Sequence, residues 1–199
     1  FYKNLIKKKK DPRIIKEYKK LLKYKKMIKF VYQNVPKGTG DAVLKTKRFI
    51  TDKYFLMLLP DDLIIKKNCS KSMINVHQKY KSSVMASMQV NKSTVSRWGI
   101  YNLSKRLSKS DYLISDVVEK PSIKDAPSNK AVIGRHILPK TIFKKLKNQN
   151  SGNGGEIHIT DAIQSLIKDN ENFIAHNFSG KYLDCGTMNG YINSGKKIS

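Results

Sequence analysis

The sequence lacks the features of a secreted or membrane-spanning protein. Its 199 residues include two cysteines, Cys69 and Cys185, which are too few for a disulfide framework and favour a reduced, cytoplasmic setting. No apolar run approaches the ~20 residues that a membrane-spanning helix requires, and the first residues do not have the order of a signal peptide. The four histidines have no zinc-binding spacing with one another or with the cysteines. We therefore expect a cytoplasmic protein without a membrane partner.

Arginine is also scarce, although the chain is strongly basic. Forty Lys and Arg residues against fifteen Asp and Glu residues give a net charge of +25, yet five of the forty are Arg. Because arginine is the usual reader of base edges and bidentate ligand of phosphates, this composition argues against nucleic acid as a partner. Residues 1–30 hold thirteen basic and two acidic side chains. We interpret this segment, including the Lys7–Lys10 run, as a solvated basic surface, with polyanion binding as the alternative.

Hydrophobic periodicity predicts one α/β domain with additional β elements. Hydrophobic residues make up 39% of the chain, which is enough for a buried core. Helices are predicted over 13–26, 41–48 with Asp41 as its cap, 70–81, 140–147, from a cap at Thr160, and after Asn189. Strands are predicted over 28–33, 54–59, 84–90, 98–103, 112–118, 131–138, 173–178 and 181–184. The strand 54–59 is apolar on both faces, which is typical of a buried parallel sheet.

Carboxylates follow two of the predicted strands. Asp61 and Asp62 follow the strand 54–59 after one proline, Pro60, and Asp184 ends the strand 181–184. Ligands of open α/β sheets bind beyond the carboxyl ends of the strands. Carboxylates in that place suit Mg²⁺, which takes oxygen ligands and shares them with phosphates. A turn or a helix cap is the alternative interpretation of Asp61 and Asp62, and a turn is the alternative for Asp184.

Two loops carry further candidate residues. Gln33 precedes Gly38 and Gly40, and glycines let the backbone approach a ligand closely. An ordinary turn is the alternative there. Glu156 and Asp161 lie where a Gly/Asn loop enters a predicted helix, and a loop with a helix cap accounts for Asp161 but says little about Glu156.

Glu119 and Lys120 end a predicted strand, just before a proline. A carboxylate can accept hydrogen bonds from sugar hydroxyls, and a lysine can neutralise a phosphate. Successive strand residues face opposite sides, so the two side chains share a ligand only if one of them has special local geometry. A salt-bridged pair on the surface is the alternative.

In this order and spacing, the segments resemble the bacterial UTP–glucose-1-phosphate uridylyltransferases of the sugar-phosphate nucleotidyltransferase superfamily. The resemblance runs from residue 31 to residue 191, which is most of the chain. The segments that carry it are QNVPKGTGDAV (33–43), LPD (59–61), WGI (98–100), VVEKP (117–121), APSN (126–129), IGR (133–135), GEIHITDAI (155–163) and DCG (184–186).

The resemblance implies a Rossmann-like nucleotidyltransferase fold, in which helices flank a mixed sheet and an additional β-rich part binds the sugar. Within one domain, 1–199, we expect a basic helical segment in 1–30, a nucleotide and Mg²⁺ half in 31–90, and a sugar-binding half in 91–199. By resemblance, Gln33 and Gly38 would bind the nucleotide, and Asp61 and Asp184 would bind Mg²⁺. Lys120 would bind the sugar phosphate and act with Asp61 in catalysis. The residues that would line or brace the glucose site are Gly99, Glu119, Gly134, Glu156 and Asp161.

The family converts UTP and glucose 1-phosphate into UDP-glucose and pyrophosphate, so the resemblance implies these four partners and Mg²⁺ as cofactor, and it allows a homo-oligomer. A related enzyme that uses another nucleotide or sugar phosphate is one alternative. A non-catalytic module that binds a sugar nucleotide or a polyanion is another.

The sequence also departs from the family. Asn34, Thr39 and Asp41 stand where the family usually has Gly, Leu and His, and Asp41 would place a negative charge near the nucleotide. Trp98 stands where Tyr is common. Family members begin with a strand and a Gly-rich, Arg-containing phosphate loop, which this sequence does not contain. We therefore expect an N-terminally incomplete sheet and little or no activity from this chain alone.

Overall fold

The computed structural model describes residues 4, 7, 11–152 and 155–198. Residues 8–10 of the basic run lie outside this part of the chain, so the interpretation of that run stays a prediction. The chain divides into two compact units, Phe1–Asn34 and Val35–Ser199. Among the described helices, none is both long and apolar enough to cross a membrane.

The first unit contains a long helix, α1 (Pro12–Met27). Its first turn is capped by the Asp11 side chain, which accepts a 2.8 Å hydrogen bond from Arg13 N. Pro12 occupies the start of the helix, where a missing N–H leaves no bond unmade. The helix that the periodicity predicts here is confirmed.

The strand predicted over 28–33 is wrong. The backbone of this segment is irregular, and Phe30 and Tyr32 are 76% and 82% exposed. β-branched and aromatic residues favour a strand when their side chains pack against neighbouring strands. Within the described residues, this segment belongs to no ladder. Its side chains therefore have no neighbouring strand there to pack against.

The second unit contains two sheets. Their strands are β1 (Tyr54–Leu58), β2 (Asp62–Ile65), β3 (Ser83–Gln89), β4 (Gly99–Arg106), β5 (Asp111–Glu119), β6 (Lys130–Pro139), β7 (Phe173–Asn177) and β8 (Lys181–Asp184). Six of them form a mixed sheet in the order β1-β6-β3-β7-β5-β4. In this sheet β3 and β7 are parallel and the other neighbours are antiparallel. β2 and β8 form a separate antiparallel pair. The predicted α/β fold with a mixed sheet is confirmed.

Strand β1 differs from its prediction in direction and burial. It runs antiparallel to β6, with Tyr54 opposite Pro139 and Leu58 opposite Arg135. Leu56 and Leu58 are 36% and 48% exposed. An apolar run indicates that a strand packs against other apolar residues. It does not indicate whether the neighbouring strand is parallel or antiparallel.

The helices of the second unit lie close to their predicted positions. They are α2 (Thr39–Lys45), α3 (Cys69–Tyr80), α4 (Ile142–Asn148), α5 (Ile159–Lys168) and α6 (Met188–Gly195), with 3₁₀ turns at Lys47–Phe49 and Lys92–Arg97. Two predicted caps are wrong. Asp41 is buried inside α2, whose N-cap is Gly38 with φ of +91°. Thr160 lies inside α5, which begins after His158.

The six-stranded sheet has an apolar cluster on each face. Met85 packs in one cluster with Phe143 of α4, and Val84 and Ala86 pack in the other with Met73 of α3. These three consecutive residues of β3 alternate between the clusters because successive strand side chains point to opposite faces. Helices on both faces of a sheet are the layers of an α/β architecture.

Candidate active site

A cavity of about 1020 Å³ collects residues from distant parts of the second unit. Seven predicted site residues line it: Asp61, Gly99, Glu119, Lys120, Gly134, Glu156 and Asp161. The other lining residues are Thr39, Met57, Leu59, Asp62, Arg97, Trp98, Val132, His136, His158, Ile159 and Thr160. Carboxylates that accept hydrogen bonds and cations that neutralise phosphates occur together, so the cavity chemically suits a phosphorylated, hydroxyl-rich ligand.

Glu119 and Lys120 are presented side by side through an unusual backbone conformation. Glu119 ends β5 opposite Gly99 of β4, and Lys120 follows with φ of +45°, which few non-glycine residues adopt. The Lys120 N–H donates to Trp98 O over 3.0 Å. This turn is the special geometry that lets both side chains line the cavity. A Cβ on Gly99 would lie 3.1 Å from Glu119 Oε2 and 3.2 Å from a Val132 methyl carbon, so the missing side chain makes room for the carboxylate.

The two-stranded sheet carries a pair of acidic residues. Asp61 precedes β2, Asp184 ends β8, and the Asp61 carbonyl accepts a 2.9 Å hydrogen bond from Cys185 N. A Cβ on Gly186 would lie 2.8 Å from Asp61 Oδ2 and 3.4 Å from Asp184 Oδ1, so both carboxylates converge on a residue that has no side chain. Asp61 lines the cavity, whereas Asp184 lies beside Asp61 and is not a lining residue.

This donor set fits Mg²⁺. The ion uses one or two protein carboxylates and completes its shell with water and substrate phosphates. Among the described residues, no group of three or more His, Cys, Asp or Glu side chains could hold a metal by itself. A pair of carboxylates beside a cavity that can hold a phosphorylated ligand therefore suits Mg²⁺ better than a metal held entirely by protein ligands.

Asp62 is a third carboxylate in this region, opposite Asp184 in the ladder. Its side chain accepts hydrogen bonds from Gly134 N and from the Tyr182 hydroxyl. Burial raises the pKa of the Asp62 carboxyl, and the charges of Asp61 and Asp184 add to this effect, while the two hydrogen bonds oppose it. Burial and the bond to Asp62 raise the pKa of Tyr182, so this hydroxyl stays protonated and can donate.

The family of the chain follows from its comparison with known proteins. A family model described as nucleotidyl transferase matches residues 3–199. The chain belongs to the nucleotidyl transferase family. A UTP–glucose-1-phosphate uridylyltransferase of Pseudomonas aeruginosa is 37% identical over 168 residues, which are 83% of this chain and 60% of that protein. A UTP–glucose-1-phosphate uridylyltransferase 2 of Streptococcus pyogenes serotype M3 is 36% identical over 170 residues, with 83% and 56% covered. This nucleotidyltransferase chain thus spans less than two thirds of the length of these curated relatives.

Solved structures of similar proteins have the same fold as this chain. A UDP-glucose pyrophosphorylase complexed with UDP-glucose superposes with a TM-score of 0.79 at 39% identity, covering 85% of this chain and 65% of that one. A UTP-bound UGPase from Acinetobacter baumannii superposes with a TM-score of 0.77 at 27% identity, covering 99% and 68%. The nucleotidyltransferase fold implied by the sequence resemblance is confirmed.

In this nucleotidyltransferase, Gly38 and Gly40 lie against another loop. Gly40 N donates to Ile157 O over 2.7 Å, and Ile157 N donates to Lys37 O over 2.8 Å. A Cβ on Gly38 or on Gly40 would lie 2.7 Å from Ile157 O. The close approach that the sequence analysis expected toward a ligand is thus made toward Ile157, and nucleotide binding by Gly38 stays a prediction.

Two other residues predicted near the nucleotide are not among the lining residues of the cavity. Gln33 belongs to the first unit, is half-buried, and keeps its nucleotide role as a prediction. Asp41 is buried in α2, with Oδ1 3.5 Å from Lys45 Nζ. Its negative charge therefore has a positive partner one helical turn away.

Glu156 and Asp161 are positioned by the loop that precedes α5. Gln149 Nε2 donates to Asp161 Oδ2 over 3.2 Å and to His158 O over 3.1 Å. Gly152 N donates to Glu156 O over 2.8 Å. Asp161 thus braces the loop that brings Glu156 to the cavity, and the role of both residues toward a sugar stays a prediction.

His136 is a lining residue that was not predicted from the sequence. It follows Val132 and Gly134 at alternate positions of β6, and all three line the cavity. The ring is 3% exposed, and its Nδ1 has no hydrogen-bond partner among the described residues. Burial lowers the pKa of His136 to about 4, so the ring is neutral near pH 7. The period-two alternation from Gly134 is the sequence signal that could have found it.

A second polar arrangement lies outside the cavity lining. His176 Nδ1 lies 2.7 Å from Asp111 Oδ1, and His176 Nε2 lies 3.1 Å from Ser72 Oγ. Ser72 Oγ also donates to Cys69 O over 2.8 Å, and Ser108 Oγ donates to Asp111 Oδ2 over 2.7 Å. We call this arrangement, Ser72–His176–Asp111, the buried polar chain. It joins α3, β7 and β5, and none of its three residues lines the cavity.

Proposed function

We propose that the chain carries the sugar-nucleotide site of a Mg²⁺-dependent uridylyltransferase, which converts UTP and glucose 1-phosphate into UDP-glucose and pyrophosphate. The observation that carries the proposal is the convergence of seven predicted site residues in one cavity. Relatives named UTP–glucose-1-phosphate uridylyltransferase support the reaction class. The complex of a similar structure with UDP-glucose supports the ligand class.

The reaction needs positioning and charge neutralisation rather than a protein nucleophile. A phosphate oxygen of glucose 1-phosphate attacks the α-phosphorus of UTP, and pyrophosphate leaves with the electron pair of the broken P–O bond. Lys120 binds the phosphate of the sugar and offsets its charge as the two substrates approach. Asp61 and Asp184 would hold Mg²⁺, which supplies positive charge to the phosphates when bound.

The glucose is held at the edge where Gly99 faces Glu119. The Glu119 carboxylate accepts hydrogen bonds from sugar hydroxyls, and Gly99 leaves the space that the carboxylate and the sugar require. Glu156 and Asp161 line the same cavity. The thiol of Cys69 takes no part, because burial raises its pKa to about 11 and it stays protonated.

The test is a ligand-binding experiment, which does not depend on turnover. Calorimetric titration of the chain with UDP-glucose and with UMP, in Mg²⁺, should show binding of both ligands. Glu119→Ala should weaken UDP-glucose binding by about tenfold, since a charged hydrogen-bond acceptor is lost, and should leave UMP binding unchanged. Glu17→Ala, which removes an exposed carboxylate from α1, is the matched control and should bind both ligands as the wild type does.

Equal losses for UDP-glucose and UMP would contradict the assignment of Glu119 to the sugar. Comparison of UTP with CTP and dTTP as ligands separates the uridylyl proposal from a related nucleotidyltransferase. Salt-sensitive binding of a polyanion without binding of UDP-glucose would favour the non-catalytic module instead. Cytoplasmic location and a homo-oligomeric state stay predictions.

A further inference from the structure

We propose that Asp62 is a positioning residue, whose carboxylate clamps the two-stranded sheet to Gly134 of the six-stranded sheet. The two-stranded sheet carries Asp61 and Asp184, and Gly134 belongs to the sugar side of the cavity. The inference rests on the proposed function, because the clamp sets the distance between the two parts of that site.

The Gly134 amide lies where both neighbouring ladders are interrupted. Pairing of β6 with β1 ends at Arg135 opposite Leu58. Pairing of β6 with β3 passes from Ile133 to His136 across an irregularity. The Gly134 N–H donates to Asp62 Oδ2 instead. A buried N–H requires an acceptor, so this carboxylate oxygen takes the place of a backbone carbonyl.

The fit at this point is tight. A Cβ on Gly134 would lie 2.5 Å from Asp62 Oδ2 and 2.5 Å from Leu59 Cδ1. Leu59 N donates to Gly134 O over 2.7 Å, so the glycine is held through both of its backbone groups. A side chain at residue 134 would displace the carboxylate, which explains a glycine here apart from any contact with a ligand.

The second oxygen of Asp62 ties the clamp to β8. Asp62 Oδ1 accepts a hydrogen bond from the hydroxyl of Tyr182, which lies two residues before Asp184. The Tyr182 ring meets the ring of Trp98 edge-on, with centroids 5.8 Å apart, and Trp98 lines the cavity. Arg135 Nη2 also donates to Asp62 O over 3.2 Å. The carboxylate therefore joins β2, β6 and β8 at one point.

Two substitutions of Asp62 distinguish a role of its hydrogen bonds from a role of its charge. Asp62→Ala removes both hydrogen bonds. Asp62→Asn removes the charge but can keep both bonds, because its amide oxygen can accept from Gly134 N while its NH₂ donates to the Tyr182 oxygen. Tyr182→Phe removes one bond and leaves the cavity-lining residues themselves unchanged. Asp52→Ala, at an exposed turn before β1, is the matched control.

The readouts are hydrogen exchange of the Gly134 amide and the affinity for UDP-glucose in Mg²⁺. Asp62→Ala should speed the exchange by about tenfold and weaken UDP-glucose binding by about tenfold. Asp62→Asn should stay within about threefold of the wild type in both measurements, and Tyr182→Phe should weaken binding by about threefold. Asp52→Ala should change neither. If Asp62→Ala does not fold, the Asn and Phe variants still decide.

Three results would overturn the proposal, and they differ from one another. Unchanged Gly134 exchange in Asp62→Ala would show that the contact does not protect the amide. Binding by Asp62→Asn as weak as by Asp62→Ala, with Gly134 still protected, would show that the charge is required, as in a direct metal ligand. A wild-type chain that does not bind UDP-glucose would overturn the proposed function itself and would leave the clamp a structural contact.

Discussion

The cavity and the buried polar chain are both rich in polar side chains, but they use them in opposite ways. In the buried polar chain, His176 lies between Asp111 and Ser72, at 2.7 Å and 3.1 Å. In the cavity, the charged ends of Glu119 and Lys120 make no hydrogen bond or ion pair with the other described residues. Polar groups that satisfy one another stabilise the fold, whereas those without an internal partner are available to a ligand. Loss of the first kind should lower stability, and loss of the second kind should lower binding.

The largest effect is expected for Asp111→Ala. This change leaves two groups, His176 Nδ1 and Ser108 Oγ, without their hydrogen-bond partner. Each unsatisfied group costs about 2 kcal/mol, so the expected loss is about 4 kcal/mol. Urea denaturation, followed through the fluorescence of Trp98, should show this loss in the free energy of unfolding. Under native conditions UDP-glucose binding should stay within about twofold of the wild type.

Two variants act as controls for this prediction. Asp125→Ala removes an exposed carboxylate that accepts from Ser122, and its stability should change by less than about 0.5 kcal/mol. Asp111→Asn keeps an acceptor for one of the two bonds and should lose less stability than Asp111→Ala. A stable Asp111→Ala protein that no longer binds UDP-glucose would reverse the comparison.

The pH dependence of the free energy of unfolding should include a contribution from His136, which lies in the cavity wall. Burial lowers the pKa of His136 from 6.5 in the unfolded chain to about 4 in the folded chain. Below pH 6.5 the unfolded chain therefore binds a proton that the folded chain does not, so stability falls as the pH decreases and levels off near pH 4. The full loss from this residue is about 3 kcal/mol.

Urea denaturation at pH 7 and at pH 4 measures this loss, with His136→Leu as the comparison. Titration of the other groups is common to both proteins and cancels in the difference. The variant should lose about 3 kcal/mol less than the wild type between the two pH values. Equal losses in both proteins would mean that His136 titrates in the folded chain as it does in the unfolded one.

The smallest effect is expected at Lys120, where the site holds its backbone in a strained conformation. Lys120→Gly and Lys120→Ala both remove the ammonium and should both bind UDP-glucose more weakly than the wild type. Glycine adopts φ of +45° without the clash of a Cβ, so Lys120→Gly should be about 1 kcal/mol more stable than Lys120→Ala. Urea midpoints compare the two. Equal stability would show that the backbone at this position carries no strain.

Residues that act through local sequence were predictable. The strand end at Glu119 and Lys120, the acidic turn at Asp61 and the loop that carries Glu156 could be chosen as candidates because each is a short motif of polar side chains, and all of them line the cavity. Because strand side chains alternate between faces, Glu119 and Lys120 could face one cavity only through an unusual backbone conformation. The positive φ of Lys120 is such a conformation. Helix α1 was predictable from its hydrophobic periodicity.

Residues that act through distant contacts were not predictable. Asp62 differs from Asp61 in its contacts, because its carboxylate accepts a hydrogen bond from Gly134 N, 72 residues further along the chain. His176 meets Asp111 across 65 residues. The glycines Gly38 and Gly40 approach Ile157 rather than open space. Nothing in the local sequence of these residues indicates which partner they meet.

The sequence by itself determined the alternation of helices and strands, the two acidic strand ends, and the set of residue types that a phosphorylated sugar ligand requires, because these depend on periodicity and on the chemistry of single side chains. The tertiary structure decided the antiparallel pairing of β1, the irregular course of 28–33, and which carboxylates face the cavity rather than another part of the protein. The physical reason is that a strand needs a partner and a buried polar group needs an acceptor or donor. Both are supplied by segments far away in the chain.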